Sequence, residues 1–108
     1  MIVRRKGELS PAGIDRDWPH QVALRVPGGK PLGPEPDAFC KEHRLSLCER
    51  GHTVFHEDTW WSVFCFAEGE HADRFRERFG GEVFDPRERG RGPSWARWHK
   101  GTKVTKAR

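Results

Sequence analysis

Residues 52–67 read HTVFHEDTWWSVFCFA, and this stretch decides the fold. Its two halves are rich in β-branched and aromatic residues, which favour strands, and Glu57-Asp58-Thr59 separates them. The pattern predicts a β-hairpin. The second half is apolar at consecutive positions, which is typical of a strand in the middle of a sheet.

A two-residue turn fixes which side chains of the hairpin share a face, because cross-strand partners lie on the same side of a sheet. The face expected to meet helices carries Thr53, Phe55, Trp60, Ser62, Phe64 and Phe66. The opposite face carries His52, Val54, His56, Trp61, Val63 and Cys65. Two outcomes stay open for this second face. Either it is open to solvent or a partner, or the N-terminal segment or the tail covers it, with Trp18, Trp95 or Trp98 as the lid.

Upstream of the hairpin, residues 22–26 alternate between apolar and polar or small side chains, which predicts a strand. Residues 27–36 contain four Pro and three Gly and are predicted to form a loop. A helix is predicted to follow over about residues 37–46, with Asp37 as its N-cap.

Downstream of the hairpin, a second helix is predicted over residues 70–79, whose apolar side chains recur on one face. Gly80-Gly81 is a stop signal for a helix, and residues 82–84 predict a short last strand. The resulting β-α-β-β-α-β order predicts an α+β, ferredoxin-like fold, with two helices on one face of a four-stranded antiparallel sheet.

The length of 108 residues is that of one domain. Residues 1–19 are predicted to be an irregular N-terminal segment, and residues 20–86 to form the α+β domain. Residues 87–108 are predicted to be a basic, Trp-containing tail whose end, from about Gly101, is disordered.

Positive charge is concentrated towards the C-terminal end of the chain. Residues 85–108 carry eight Lys or Arg and two acidic residues, whereas residues 1–84 carry 12 basic and 14 acidic residues. Basic side chains contact phosphates and Trp rings stack on bases, so one hypothesis is nucleic-acid binding through the tail. The hypothesis rests on four arginines interleaved with two tryptophans, Arg87, Arg89, Arg91, Trp95, Arg97 and Trp98, and on the lysines that follow, Lys100, Lys103 and Lys106. The binding residues assigned among them are Arg89, Arg91, Trp95, Arg97 and Trp98. The alternative is a solvated basic tail whose Trp residues pack back on the body.

Several classes of protein are not supported by the sequence. No run of 18 apolar residues could cross a membrane, and no secretory signal is expected at the N-terminus. The odd number of cysteines favours reduced thiols and a cytoplasmic location. Motifs for a nucleophilic serine or a phosphate-binding loop do not occur, so no catalytic residue and no cofactor are predicted.

A metal site is the remaining chemical candidate, because Cys and His are the usual zinc ligands. Five of them fall within 17 residues: Cys40, His43, Cys48, His52 and His56. Their spacing does not match the paired ligands of structural zinc sites, and two His residues four apart on a strand are separated by roughly 13 Å. The sequence therefore favours buried cysteines and surface histidines, and no metal ligand is assigned.

Two runs of sequence resemble a group of short bacterial proteins to which no activity is assigned. They read DRDWPHQVAL at residues 15–24 and FRERFGGE at residues 75–82. The resemblance covers most of residues 14–98 and implies no catalytic or binding residues.

The function predicted from the sequence is a non-catalytic binding module, with another protein as its partner. Its working surface would combine the open hairpin face, through His52, His56 and Trp61, with the tail. Nucleic-acid binding, or a Cys/His metal-binding protein or enzyme, are the alternatives.

Overall fold

The computed structural model describes residues 11–26, 32–90 and 92–100. Within them, the chain forms an α+β domain with three α-helices and a four-stranded antiparallel sheet. The elements are α1 (Pro11–Asp17), β1 (His20–Val26), α2 (Glu35–Glu42), β2 (His52–His56), β3 (Thr59–Phe66), α3 (Gly69–Phe79) and β4 (Glu82–Phe84). Two short 3₁₀ turns follow, at Pro86–Glu88 and Gly92–Ser94.

The hairpin prediction is confirmed, including its register. His56 pairs with Thr59, so that Glu57 and Asp58 alone form the turn. Both turn residues have positive φ, at 54° and 60°, as a type I′ turn requires. The pairing of Thr53 with Ser62 continues the predicted division of side chains between the two faces. The strands lie in the order β2-β3-β1-β4, and β3 pairs along the whole length of β1.

One face of the sheet, which we call the helix face, packs against α2 and α3. Its core includes Val22 and Leu24 from β1 and Phe66 from β3, packed on Phe75 of α3. Burial of such side chains is the main source of stability in a domain of this size. α3 begins one residue earlier than predicted and ends as predicted, at Phe79, followed by the C-cap Gly80, whose φ is 78°.

Helix α2 is shifted from its predicted range of 37–46. It begins at Glu35 because Pro36 is tolerated within the first helical turn, so that Asp37 lies inside the helix rather than at its N-cap. It ends at Glu42 because Arg44 adopts a left-handed conformation, with φ at 53°. The amide of Leu45 then bonds the carbonyl of Cys40 at 2.9 Å, a Schellman-type termination with Arg in place of the usual Gly.

The sequence predicted an irregular N-terminal segment over residues 1–19, and this prediction is wrong for part of that segment. Residues 11–17 form helix α1, since Pro is compatible with a first helical turn and Ile14 is buried against the sheet. Tertiary packing of one apolar side chain therefore outweighs the turn-like composition of this stretch. Residues 1–10 lie outside the described part of the chain.

The second hairpin face is covered, so the prediction of an open surface there is wrong and its alternative holds. We call this the tail face; its core includes Val54, Val63, Cys65 and Phe84. Ile14 of α1 and Trp98 pack on it, with Trp18 and Trp61 half-buried at its margin. The physical reason is that an apolar strand surface of this size is stabilised by removal from water, and the chain supplies its own cover.

The cover on the C-terminal side consists of residues 85–90 and 92–100, which we call the C-terminal segment. Part of it extends the sheet: the amide of Phe55 donates to the carbonyl of Ala96 at 2.7 Å, and the amide of Trp98 donates to the carbonyl of Phe55 at 3.0 Å. A short parallel pairing therefore covers part of the outer edge of β2. The predicted disorder from Gly101 onwards lies outside the described residues.

Candidate functional site

The residues predicted to bind a partner occupy two kinds of environment. Trp98 and Arg89 are buried, and Trp61, His52 and His56 are partly buried beneath the C-terminal segment. Trp95 and Arg97 are exposed, the former with 42% of its surface accessible. Arg91 lies outside the described residues.

A buried polar cluster joins three residues that are distant in sequence. The Arg89 guanidinium pairs with the Asp15 carboxylate of α1, and it donates to Nε2 of His52 at 3.2 Å. The side-chain amide of Gln21 donates to the other oxygen of Asp15 at 2.9 Å. The guanidinium also lies 5.7 Å from the ring centre of Trp95, a cation–π distance. These contacts fasten α1 and the C-terminal segment to β2, which is a structural role.

This cluster predicts how stability depends on pH. Burial, followed by the nearby positive charge of Arg89, lowers the pKa of His52 from 6.5 to about 4, although Asp15 acts in the opposite direction. Between these values the unfolded chain binds a proton that the folded chain does not, so stability rises with pH through this window and falls on acidification. We expect the contribution of His52 to the free energy of unfolding to drop by about 2 kcal/mol between pH 7 and pH 4.5.

Urea unfolding at the two pH values tests this expectation. The variant His52→Gln keeps an acceptor for Arg89 but does not titrate, so its unfolding free energy should change less with pH than that of the wild type. His99 is exposed, and His99→Gln serves as the matched control, which should retain the wild-type dependence. An unchanged pH dependence in His52→Gln would show that another group is responsible.

The predicted binding residues Trp61, His56 and Trp98 form one aromatic cluster. The rings of Trp61 and Trp98 meet edge to face at 5.2 Å, and the His56 ring lies 5.4 Å from Trp98. The indole N–H of Trp98 donates to Glu88 at 3.0 Å. Because Trp98 is only 3% exposed, it cannot stack on a base while the segment stays docked. The nucleic-acid hypothesis thus retains Arg87, Trp95, Arg97 and Lys100 as exposed residues in the described chain, and it stays a prediction.

The cysteines and histidines considered as metal ligands are not brought together as a set. Cys40 packs in the helix-face core, whereas Cys48 packs in the tail-face core with Cys65. Within the described ranges no group of three or more His, Cys, Asp or Glu side chains is arranged to hold a metal ion. Burial raises the pKa of the Cys40 thiol to about 11 and that of Cys65 to about 12. Both are therefore poor nucleophiles.

A serine and a histidine do meet, near the start of α3. The Ser46 hydroxyl lies 2.8 Å from Nδ1 of His71, and it accepts the amides of Ala67 and Glu68, each at 3.1 Å. Both lone pairs of the hydroxyl oxygen are therefore engaged by the backbone. The arrangement fastens the loop before β2 to the start of α3, which is a structural role.

A large cleft lies on the helix face, between α2 and the hairpin, and no pattern in the sequence indicated it. We call it the β2 cleft; it has a volume of about 860 Å³, in the range of ligand-binding clefts. Its lining includes Asp37, Cys40, Lys41, Leu45, Leu47, Glu49, Gly51, Thr53, Ser62 and Phe64. The cleft lies where α2 ends early, at Glu42, and the chain then runs from Arg44 as a loop to β2.

An unpaired stretch of strand borders the β2 cleft. In this hairpin the main-chain groups of alternate β2 residues point away from β3, as the bonds of Phe55 to the C-terminal segment show. Thr53 is one of these alternate residues, so its N–H and C=O also point away from β3. They have no backbone partner among the residues that the structure describes. In the described part of the chain, one donor and one acceptor without a backbone partner thus lie at the rim of the cleft.

Aromatic side chains are also exposed on the helix face next to the cleft, at the hairpin end. The rings of Phe55 and Trp60 meet at 5.0 Å, and Trp60 is 45% exposed. They were predicted to meet helices, but α2 and α3 cover other parts of this face. Arg97 lies beside Phe55 through its pairing with β2.

Comparisons of the chain with known protein families, curated proteins and solved structures found no match to any of them. The resemblance of two runs to short bacterial proteins therefore stays a prediction. In the described part of the chain, no helix is both long and apolar enough to cross a membrane.

Proposed function

We propose that this chain is a non-catalytic protein-interaction module that takes up an extended polypeptide segment along β2, with side chains of that segment in the β2 cleft. The observation that carries the proposal is the juxtaposition of an open cleft and the unpaired edge at Thr53. Addition of a strand to a free sheet edge is a general mode of peptide recognition, in which main-chain bonds supply affinity and pockets supply specificity.

The backbone of β2 supports this mode. Two residues beyond Thr53, the same edge already pairs with the C-terminal segment, through both main-chain groups of Phe55. A ligand strand at Thr53 would continue this pairing towards Gly51, which also lines the cleft. The edge therefore has the geometry that an added strand needs.

The side chains around the edge favour particular ligand residues. Successive side chains of an added strand point to opposite faces. Those on the helix face would enter the β2 cleft, where Cys40, Leu45 and Leu47 offer an apolar lining. Those on the tail face would lie towards the exposed ring of Trp95. We therefore propose a ligand segment with a large apolar residue at the position that enters the cleft.

We propose no reaction for this chain, because the candidate nucleophiles among the described residues are held in unreactive forms. The raised pKa values of Cys40 and Cys65 keep these thiols protonated, and Ser46 is held by backbone amides. We also propose a cytoplasmic location, which the free cysteines support.

We further propose that the sheet and helices follow the ferredoxin-like split β-α-β-β-α-β arrangement, with α1 and the C-terminal segment added to it. The support is that β3 lies between β1 and β2, and β1 lies between β3 and β4, with antiparallel neighbours throughout. A fold of this kind hosts many activities, so the proposed function rests on the cleft and not on the fold.

The variant Thr53→Pro tests the proposal, because Pro removes the outward N–H of Thr53 without removing a bond to β3. Thr53→Val is the matched control, since it keeps the N–H and loses only the hydroxyl. The probe is a random heptapeptide library displayed on phage and selected on the wild type; the recovered peptide is then synthesised and titrated by calorimetry. We expect Thr53→Pro to weaken binding about tenfold and Thr53→Val to bind as the wild type does.

Circular dichroism melts of both variants establish that they fold. A recovered peptide that binds Thr53→Pro as tightly as the wild type would show that the strand edge is not used. A library that yields no binder would also contradict the proposal, because a random heptapeptide library contains many segments with a large apolar residue at each position.

A further inference from the structure

Lys100 lies against two tryptophans on the tail side of the molecule. Its ammonium nitrogen is 5.6 Å from the ring centres of both Trp61 and Trp98, and 3.1 Å from a carboxylate oxygen of Glu82. The two indole rings are nearly perpendicular, at 88°, so they present two walls of a corner. We call Trp61, Trp98 and Glu82 the cation corner.

We propose that the cation corner is a binding site for a quaternary or methylated ammonium group, and that Lys100 is its intramolecular occupant. The site is separate from the β2 cleft and does not depend on the function proposed for that cleft. The ligand class follows from the chemistry of the walls, which combine two π-faces with one negative charge.

The electrostatics of the corner select a cation. The face of an indole ring is electron-rich and attracts positive charge within about 6 Å, and Trp is the strongest of the aromatic side chains in this respect. A lysine ammonium is a compact, strongly hydrated charge, so it loses solvation when it approaches the rings. A methylated ammonium carries the same charge on a larger and less hydrated surface, which fits such aromatic walls better.

There is room for a ligand next to the corner. Trp61 and Glu82 both line a surface pocket of about 490 Å³, whose lining also includes Phe79 and Glu35. Arg25 is the basic residue of this lining. Two acidic and two aromatic residues therefore line this pocket together with one basic residue, a balance that favours a cationic ligand over an anionic one.

Lys100 is placed to compete with a ligand rather than to complete the core. Its side chain is 36% exposed, and it follows Trp98 by only two residues. A tethered group acts at an effective concentration in the millimolar range, so it lowers the apparent affinity for a free cation. Removal of Lys100 should therefore increase the affinity of the corner for an ammonium ligand.

Titration with choline and with its neutral isostere 3,3-dimethylbutan-1-ol, read by tryptophan fluorescence and by the indole N–H resonances, tests this inference. We expect Lys100→Ala to bind choline about three- to tenfold more tightly than the wild type does, and the neutral alcohol more weakly than choline by a similar factor. Glu82→Gln in the Lys100→Ala background should weaken choline binding again. Arg74→Ala, which removes one positive charge from the exposed surface of α3, should leave it unchanged.

A second arm distinguishes the two sources of such a group. A short peptide containing trimethyllysine and the free choline are titrated in parallel. Tighter binding of the peptide assigns the corner to a methylated side chain, whereas equal or tighter binding of choline assigns it to a small molecule. Equal binding of choline and of the neutral alcohol by Lys100→Ala would overturn the inference. Loss of folding in both Lys100→Ala and Lys100→Gln would overturn it as well, since Lys100 would then be a structural residue.

Discussion

Replacing Arg89 with Met is expected to lower the free energy of unfolding by roughly 3–5 kcal/mol. The side chain of Arg89 is only 7% exposed, and its guanidinium pairs with Asp15 and donates to His52. Without it, the partly buried carboxylate of Asp15 would keep, among the described residues, only the side-chain amide of Gln21 as a hydrogen-bond partner. A charge left uncompensated in a poorly solvated position is among the most destabilising defects in a protein. Urea unfolding followed by circular dichroism measures the loss.

Arg87 is the matched control, because it lies two residues earlier and also pairs with a carboxylate, that of Asp85 at 3.0 Å. Its side chain is 81% exposed, so Arg87→Met should unfold at almost the wild-type urea concentration. The double variant Arg89→Met with Asp15→Leu removes both charges and should recover much of the lost stability. Equal losses in Arg87→Met and Arg89→Met would contradict a buried role for Arg89.

The contrast between these two arginines shows what the sequence alone could not predict about the C-terminal segment. Both belong to a basic stretch of ordinary appearance, and charge density alone predicts contact with phosphates. The partners of Arg89 lie 74 and 37 positions away, in α1 and β2. Which arginine is buried is decided by the tertiary fold, and no local pattern carries that information.

Local signals did predict the elements whose geometry is set locally. The hairpin followed from strand-forming residues around a two-residue turn, and α3 followed from its apolar face and Gly80. The end of α2 could not be predicted in the same way, because Arg44 takes the left-handed conformation that glycine usually takes. The β2 cleft depends on that ending, so it too was beyond prediction from the sequence.

The sequence left two outcomes open for the tail face, cover by the same chain or exposure to a partner, and it could not decide between them. Apolar residues at alternate strand positions require cover by something, whether a partner or the same chain. Trp18, Trp95 and Trp98 were all available as lids, and composition does not rank them. In the structure Trp98 is buried while Trp95 is exposed, because the pairing with Phe55 turns Trp98 towards the sheet.

Trp98→Ala is expected to lower the free energy of unfolding by roughly 3–5 kcal/mol, the usual cost of removing a fully buried large aromatic side chain. The centres of the Trp98 indole and the Phe84 ring lie 5.2 Å apart, and loss of the indole would leave a cavity over the tail face. It would also remove the bond from its N–H to Glu88 at 3.0 Å. The same urea unfolding experiment, followed by far-ultraviolet circular dichroism, measures the change.

Trp95→Ala is the matched control, because it removes the same type of side chain from an exposed position of the same segment. Its ring meets Arg89 at a cation–π distance, so a loss of about 1 kcal/mol or less is expected. A large loss for Trp98 and a small one for Trp95 would mean that the C-terminal segment belongs to the folding unit and holds the tail face closed. Near-equal, small losses would mean that the segment detaches readily. The tail face would then be accessible to a partner, as the sequence first suggested.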